Sequence, residues 1–476
     1  MRIRKKILLW IAGAAGMVLV FLAVAMVLAL GYLNTPATKS KIEAAISQKM
    51  GGSVTFERLD ISVYPRPYVV FYQAHLSIPK TLKGKLGALS IYPQLIPLLK
   101  GRLLISKIEI EEPDLTVNLP ETAAEVKPEA LSLPEVKKNT RLVLAYLQSI
   151  GPGLVVELGK GKLVLNRRGR LLLSLRDAAA HFNAPPGDME ITLEASTDQW
   201  GAFSLGGTYS FDEDKSSVKN LSVTLGHSSV SGFSAALTSN NLPSLEVFSG
   251  KASLALGELY QWLSSAESLG SYFREVKSLK GLVTISSMEG YGPLSEPQAW
   301  RMKITGEAKD VVVGSSRLPA TLSLTGRFFL EENSLAVADL SASLGKASIS
   351  RVSARLAGRK NPLLNVSAGR AVIDLTEIFQ WRGMYADVGH ALKDIKTLRG
   401  TVNLSSMNFN GPLSQPAAWK LAIAGSLAQV VFDSSTLPGP VVASRGTFNL
   451  VQDRVFFSDV QASVLDTIVT GSGTLS

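Results

Sequence analysis

Few side chains in this chain of 476 residues could carry out chemistry. It contains no cysteine and four scattered histidines, His75, His181, His227 and His390. Without cysteine there is no disulfide, no thiolate zinc site, no iron–sulfur cluster and no cysteine nucleophile. Asp177 lies close to His181, but on an apparent strand and loop without a nucleophile beside them. The sequence therefore predicts no catalytic residue, no metal site and no cofactor, and a protein that is not an enzyme.

Clusters of carboxylates are the other groups that could bind a cation or transfer a proton. They occur at three related positions, Asp212-Glu213-Asp214, Glu331-Glu332-Asn333 and Gln452-Asp453-Arg454. Each cluster lies between two strand-like segments, and the number of acids falls from three to one across the three positions. Turns between strands favour such polar residues, so we interpret the clusters as solvated hairpin turns and not as calcium or acid–base sites.

The composition indicates a folded chain without a nucleic-acid-binding surface. Hydrophobic residues make up 46% of the chain and charged residues 18%, and the mean hydropathy is +0.19. These values exclude wholesale disorder. The formal net charge is +10, but four of the positive charges, Arg2, Arg4, Lys5 and Lys6, lie in the first six residues. Subtracting these four from +10 leaves +6, which is spread too thinly to bind nucleic acid.

A membrane anchor is predicted beside this basic cluster. Residues 7–33 form a run of 27 residues without a charged side chain, which includes Ile7, Leu8, Trp10, Val20, Phe21, Val27 and Leu33. As a helix the run would be about 40 Å long, enough to cross a hydrocarbon core about 30 Å thick. A cleaved signal peptide is the alternative, but its apolar region has only about 7–15 residues. Positive charge before the span places the N-terminus in the cytoplasm.

A short helix and a series of strands follow this span. The helix is predicted over residues 39–50, because Ser40 and Glu43 have the spacing of a capping box and Gly51-Gly52 ends it. Its apolar side either packs on the following sheet or lies on the membrane surface. From Val54 onward, apolar and polar residues alternate in short runs that are typical of strands.

The first 118 residues contain several features in a specific order. They are the single span, the helix ending in Gly-Gly, a strand before Tyr64-Pro65-Arg66-Pro67, a helical turn at residues 95–99, and a strand at residues 103–110 leading into Glu112-Pro113-Asp114-Leu115. In this order they resemble the AsmA family of Gram-negative bacteria, which the later residues fit loosely. The resemblance implies a single-pass inner-membrane protein with its bulk in the periplasm. It also implies a relation to chorein-type bridge-like lipid transfer proteins, which fold as long, twisted sheets curled into an apolar groove.

The remainder of the chain is repetitive. Trp262 recurs as Trp381 and Trp300 as Trp419, each 119 residues later, and Gly292-Pro293-Leu294-Ser295 recurs at the same offset. Trp300 and Trp419 are expected to pack the corner after the Gly-Pro turn. The predicted domains are residues 1–37 (basic N-terminus and transmembrane anchor), 38–118 (AsmA-like αβ segment), 119–153 (linker and helix), 154–248 (partial β repeat), 249–366 (β repeat) and 367–476 (β repeat, incomplete at its C-terminal end).

Each copy contains a strand with one apolar face and one face of small polar residues. The apolar residues, predicted to line a groove, are Leu221, Val223 and Leu225 in the first copy, Leu340, Ala342 and Leu344 in the second, and Val460, Ala462 and Val464 in the third. Each full copy also has a helical insertion, near residues 257–269 and 374–392, with Asp374 and Glu377 as a cap. Its aromatic residues are expected to be ordinary core, with lipid contact as the alternative; they are Tyr260, Trp262, Phe379 and Trp381.

The predicted fold is mainly β: an N-terminal transmembrane helix, then an elongated, twisted antiparallel repeat sheet with short helices inserted. From the residues alone, the apolar face could belong to a sandwich, a barrel or an open trough. The family resemblance favours a trough that holds or conducts phospholipid acyl chains and supports outer-membrane biogenesis and lipid homeostasis. The alternative is an anchored scaffold for outer-membrane protein assembly without lipid. The expected partners are membrane lipids and an outer-membrane or periplasmic protein, with no nucleic acid.

Overall fold

The structure is a computed structural model that describes most of the chain. The described residues are 31, 34–62, 66–119, 149–167, 170–185, 187–198, 200–212, 215–238, 243–265, 275–296, 299–358, 361–367, 369–385, 390, 392–415, 418–465 and 467–475. The residues named above for the anchor and its basic flank lie outside this set, as do most of the predicted linker and helix between residues 119 and 150. Within the described set, no helix has the length and apolar character needed to cross a membrane.

Strands make up most of the described chain, and the prediction of a mainly β fold with short helices is confirmed. Helices α1 to α4 are Pro36–Met50, Leu95–Leu99, Leu256–Ser265 and Leu375–Trp381. Strands β1 to β25 are Ser53–Thr55, Arg58–Ser62, Tyr68–Ile78, Leu82–Pro93, Ile105–Glu111, Asp114–Leu119, Leu154–Arg167, Arg170–Ala184, Asp188–Thr197, Gly201–Phe211, Lys215–Leu225, Ser228–Thr238, Ser244–Ala255, Val276–Pro293, Arg301–Ser315, Leu322–Glu331, Ser334–Leu344, Ala347–Ala357, Leu363–Ser367, Arg370–Asp374, Ile395–Pro412, Lys420–Ser434, Val441–Val451, Arg454–Val464 and Thr467–Leu475. The chain divides into two compact units, unit 1 (Met1–Gly226) and unit 2 (His227–Ser476).

Unit 1 contains a sheet with one parallel junction. β1 and β2 pair with successive parts of β3, and β5 and β6 pair with successive parts of β4. From β7 to β11 each strand is antiparallel to the next. However, β5 and β6 pair with β7 in parallel, so the sheet, predicted to be antiparallel in its repeats, is mixed at this junction. The reason is that residues 120–153 join β6 to β7, and parallel neighbours need a long crossover of this kind.

The strands of unit 2 are antiparallel throughout the described part. Each strand from β12 to β18 pairs with the next, β19 and β20 share the position between β18 and β21, and the order continues to β25. The strand boundaries follow the sequence repeat. β14 and β15 recur 119 residues later as β21 and β22, and β17 recurs 120 residues later as β24.

The repeat extends to local geometry at the Gly-Pro corners. Trp300 Nε1 donates to the Pro293 carbonyl oxygen at 2.8 Å, and Trp419 Nε1 donates to the Pro412 carbonyl oxygen at 2.7 Å. Each indole lies against the glycine before the proline, where a Cβ atom would overlap the ring. The predicted packing of both tryptophans at these corners is therefore confirmed.

Helix α1 begins earlier than predicted, and the capping box at Ser40 is wrong. The helix starts at Pro36, because proline favours the first turn of a helix and Thr35 is extended. Ser40 consequently lies inside the helix. Glu43 instead accepts a hydrogen bond from the Phe56 backbone N–H at 2.9 Å, and Ile42 packs against a buried cluster of the sheet. Of the two predicted environments, the structure supports packing on the sheet.

The inserted helices α3 and α4 have the same attachment in both full copies. Asp374 Oδ1 accepts from the Glu377 backbone N–H at 3.0 Å, which confirms the predicted cap. The Glu377 carboxylate in turn accepts from the Lys346 backbone N–H at 2.7 Å, and Glu258 accepts from the His227 N–H at 3.0 Å, 119 residues earlier. The side chain of Trp262 lies outside the described residues, whereas the other predicted aromatics, Tyr260, Phe379 and Trp381, are half-buried.

Candidate functional site

The nine predicted groove residues lie on three equivalent strands, β11, β17 and β24. Every one of the nine is half-buried, and none is fully buried or fully exposed; they are Leu221, Val223, Leu225, Leu340, Ala342, Leu344, Val460, Ala462 and Val464. Six of the nine have an apolar partner directly opposite on the preceding strand, as in Leu205 opposite Val223 and Leu324 opposite Ala342, and the other three lie against a glycine of that strand. The predicted residues therefore belong to a larger apolar surface.

A bulge in each of these strands keeps the apolar residues on one face. Asn220, Asp339 and Asp459 have positive φ angles of 53°, 52° and 54°. On β17, Val337 and Leu340 both have apolar partners on β18, although they are three residues apart. A bulge adds one residue to the strand. Apolar residues on the two sides of the bulge are therefore an odd number of positions apart in the sequence and still lie on the same face of the sheet.

In unit 1 the apolar residues form a continuous row across eight neighbouring strands. Each residue lies directly opposite the next, in the order Phe71, Leu89, Ile110, Leu158, Ala180, Leu193, Leu205 and Val223. At about 4.8 Å between strands, the row is about 34 Å long. The row crosses the parallel junction without a polar interruption, so the unexpected strand direction does not divide the apolar face.

Unit 2 has a similar row across nine neighbouring strands, about 38 Å long. Its members are Val311, Leu324, Ala342, Ile349, Ala371, Leu404, Gly425, Phe448 and Phe457. The Phe448 ring lies over Gly425, where a Cβ atom would be only 2.8 Å from the ring edge. The Phe448 ring covers the space beside Gly425, so the row stays apolar at this strand although the glycine has no side chain.

Exposure distinguishes the two faces of the sheet and shows how little of the apolar face is buried. Along β9, Ile191 and Leu193 are half-buried, whereas Thr192 and Glu194 are exposed. All eight residues of the row in unit 1 are half-buried. Side chains meshed against a second sheet would instead be as buried as Leu175, which is 2% exposed. Phe71, Leu89 and Ile110 pack against a buried cluster that Ile42 of α1 also contacts, so the accessible part of the row runs from Leu158 to Val223.

Concave apolar space occurs at the last strands of unit 2. A cavity of about 350 Å³ is lined by the predicted residues Val460 and Ala462, together with Leu427, Phe457, Val469 and Gly471 from β22, β24 and β25. Its walls are almost entirely aliphatic and aromatic. A cavity with this lining can hold a hydrocarbon segment, and Ser472 is the one lining residue with a polar side chain.

A larger cavity of about 760 Å³ lies on the polar face of unit 2, near the ends of β13 to β18. Its charged residues are Glu246, Glu289, Glu331, Glu332, Arg301, Lys303 and Arg355, and all of them are exposed. The next copy has Asn365, Asn408 and Val451 in place of three of these glutamates, so the repeat fold does not require them.

The structure also places the other residues singled out for chemistry. His181 Nδ1 lies 3.7 Å from Glu157 on the neighbouring strand and is not paired with Asp177, which lies at a bulge with φ of 50°. Two of the three acidic clusters occupy the predicted turns, between β16 and β17 and between β23 and β24; part of the first cluster lies outside the described residues. In the part of the chain that the structure describes, no group of three His, Asp or Glu side chains could hold a metal ion.

No family model matches this chain, and no curated protein is significantly similar to it.

Proposed function

We propose that this chain is an AsmA-like, inner-membrane-anchored periplasmic protein that holds or conducts phospholipid acyl chains along its apolar face, in support of outer-membrane biogenesis. The observation that carries the proposal is the pair of apolar rows, which are continuous across neighbouring strands and half-buried at every member except Val311 and Ala371 of unit 2, which are buried. A soluble protein rarely leaves so large an apolar surface without a ligand or partner. The predicted anchor at residues 7–33 would place this surface beside a source of phospholipid.

The energetics suit an acyl chain. Burial of hydrocarbon gains about 0.8 kcal/mol per CH₂, so a tail of about sixteen carbons would gain roughly 13 kcal/mol on leaving water. The rows consist of Leu, Ile, Val, Ala and Phe, with Gly425 as the one glycine, at nearly equal spacing, so no position along them binds a tail much more tightly than the next. A lipid could therefore move along the row in small steps while its head group stays in water. In this proposal the sheet curls into a groove around the tails.

The proposal is tested by crosslinking in the full chain. A photoreactive benzoylphenylalanine is placed at Leu340 on the apolar face, and its matched control is placed at the neighbouring Ser341 on the polar face. After irradiation in cells, mass spectrometry of the purified protein should find phospholipid adducts at position 340 and few at position 341. The absence of adducts at 340, or equal adducts at both positions, would contradict a lipid-binding face.

A triple substitution adds a functional measurement. Val223→Asp with Leu340→Asp and Val464→Asp should abolish the co-purifying lipid, because charged side chains cannot be covered by acyl chains without a large penalty. The control variant, Ser222→Asp with Ser341→Asp and Gln461→Asp, adds the same charge to the opposite face of the same strands. If the first variant unfolds and the unmodified protein never carries lipid, the nine residues are ordinary core and an anchored scaffold is the function that remains.

A further inference from the structure

Unit 1 exposes an apolar patch that is separate from the two rows. The patch consists of α2 and Leu103, which follows the turn after this helix. The exposed fractions of its large aliphatic side chains are 51% for Leu95, 69% for Ile96, 39% for Leu98, 86% for Leu99 and 72% for Leu103. Five large aliphatic side chains within nine residues are a much denser exposed cluster than isolated surface leucines, which need no explanation.

The structure around α2 holds the patch firmly on the sheet. The Gln94 backbone N–H donates to the Leu104 carbonyl oxygen at 2.7 Å, and the Arg102 N–H donates to the Pro97 carbonyl oxygen at 2.9 Å. Gly101 has a φ of 71°, which lets the chain reverse directly after the helix. The exposed side chains are therefore presented by a closed loop and not by a chain that could fold back over them.

The two charged residues within the patch segment are both positive. Lys100 and Arg102 are exposed within it, and the segment from Gln94 to Ser106 contains no acidic residue. The nearest carboxylate along the chain, Glu109, is engaged by Lys107 at 2.5 Å. Aliphatic side chains with flanking cations are the combination that binds the interface of an anionic bilayer, in which the apolar groups enter the acyl boundary and the cations contact the head groups.

The patch lies at the end of the sheet where the chain arrives from the predicted anchor. Asn34, the first residue after it, exchanges two hydrogen bonds with Leu59 on β2, at 2.7 and 2.8 Å. Three residues further along β2, Ser62 is opposite Tyr68, and the Tyr68 ring stacks on Tyr92 with the centroids 5.1 Å apart. Because Tyr92 precedes α2 by only three residues, the exit from the anchor and the patch share one end of the sheet.

We propose that α2 and Leu103 form a second membrane contact, inserting into the interfacial layer of the same phospholipid bilayer that holds the anchor. The inference rests on the anchorage in the proposed function, and it adds a residue-level contact that sets the orientation of unit 1 on the membrane. With two contacts the sheet of unit 1 cannot rotate freely about the anchor, so its apolar row keeps a constant relation to the bilayer surface.

The absence of cysteine permits a clean test in the full chain. Leu99→Cys carries an environment-sensitive fluorophore, and the protein is reconstituted into nanodiscs that contain anionic phospholipid. The matched control is Lys80→Cys, in the turn between β3 and β4, about 36 Å away along the strand and therefore outside the interfacial layer. Leu99 is 86% exposed, so labelling there leaves the fold unchanged.

The expected result is a blue-shifted emission at position 99 that spin-labelled lipids quench, with neither effect at position 80. The charge-reversal variant Lys100→Glu with Arg102→Glu should reduce the quenching at position 99. Water-like emission at 99, or a blue shift that lipid does not quench, would overturn the proposal; the second outcome would indicate a protein partner or a second copy. Crosslinking at Leu340 in the same samples separates the two proposals, since either signal can be lost while the other persists.

Discussion

Individual residues at the parallel junction of unit 1 form a compact ionisable cluster. The Tyr92 hydroxyl donates to Glu109 at 2.5 Å, and the Lys107 ammonium lies between Glu109 (2.5 Å) and Glu157 (2.8 Å). Burial, with the hydrogen bond and charge of Glu109, raises the pKa of Tyr92 to about 12. Burial alone would raise the pKa of Glu109, but hydrogen bonds from Lys107 and Tyr92 outweigh it and hold that pKa below its ordinary value.

We predict that Tyr92→Phe destabilises the protein less at alkaline pH than at neutral pH. A tyrosine whose pKa is raised by folding contributes stability that is present below its unfolded pKa of about 10 and lost as the pH rises through about 12. At neutral pH we expect the lost hydrogen bond to cost about 1 kcal/mol, because the site is partly solvated. Urea unfolding of both proteins from neutral pH to about pH 11 measures the difference, which should shrink.

A difference that stays constant over this pH range would show that the Tyr92 hydroxyl does not couple to Glu109. Tyr209→Phe is the control, because Tyr209 lies on β10, away from the cluster.

Within a strand, the bulges decide which side chains reach the apolar face. Asp459 in β24 has a φ of 54°, a conformation that costs a residue with a Cβ atom about 1 kcal/mol or more. We predict that Asp459→Gly raises the melting temperature, whereas Asp459→Val lowers it, because a β-branched side chain tolerates this conformation least. The control Ser458→Val, at the neighbouring exposed position, should have a much smaller effect. Equal effects of the two valine substitutions would argue against the bulge.

The strands and their repeat could be predicted because alternation and a fixed offset are properties of the sequence itself. The bulges were missed, although each left a signal: apolar residues three apart with Asn or Asp before the second, as in Val337, Asp339 and Leu340. The start of α1 was misjudged because a capping-box spacing at Ser40 was weighed above Pro36. The parallel pairing of β5 and β6 with β7 depends on contacts between distant segments, which a local pattern does not contain.

At the scale of the whole molecule, the sequence could not decide between a covered and an accessible apolar face. A strand such as β17 has the same alternation in a sandwich, a barrel or an open sheet, because only the partner of its apolar face differs. The half-burial of Leu340, Ala342 and Leu344 distinguishes these cases, and for Leu340 it depends on Val352, Ala371 and Met407 on the next three strands of the sheet. The apolar row of unit 2 likewise becomes visible only when the register of nine strands is known.

A sheet built from repeats should respond locally to damage. In the described part of unit 2, hydrogen bonds link each strand to its immediate neighbours, so stability is a sum of local terms, as in other repeat proteins. Gly400, at the start of β21, has a φ of 108°, and an added Cβ atom would overlap the Gln429 carbonyl oxygen and lie 2.7 Å from Val430 Cα. Gly400→Ala should therefore cost about 1–3 kcal/mol.

We predict that this cost is confined to part of the chain. Hydrogen exchange measured by mass spectrometry should accelerate in β21, β22 and their neighbours in Gly400→Ala, while protection in β3 and β4 stays unchanged. The control Gly206→Ala, where the nearest atom would be Thr192 Cγ2 at 3.8 Å, should leave exchange unaltered. Faster exchange throughout both units would instead mean that the chain unfolds as one cooperative body. A local response would allow one part of the sheet to open while the rest remains folded, which the proposed admission of a lipid tail would require.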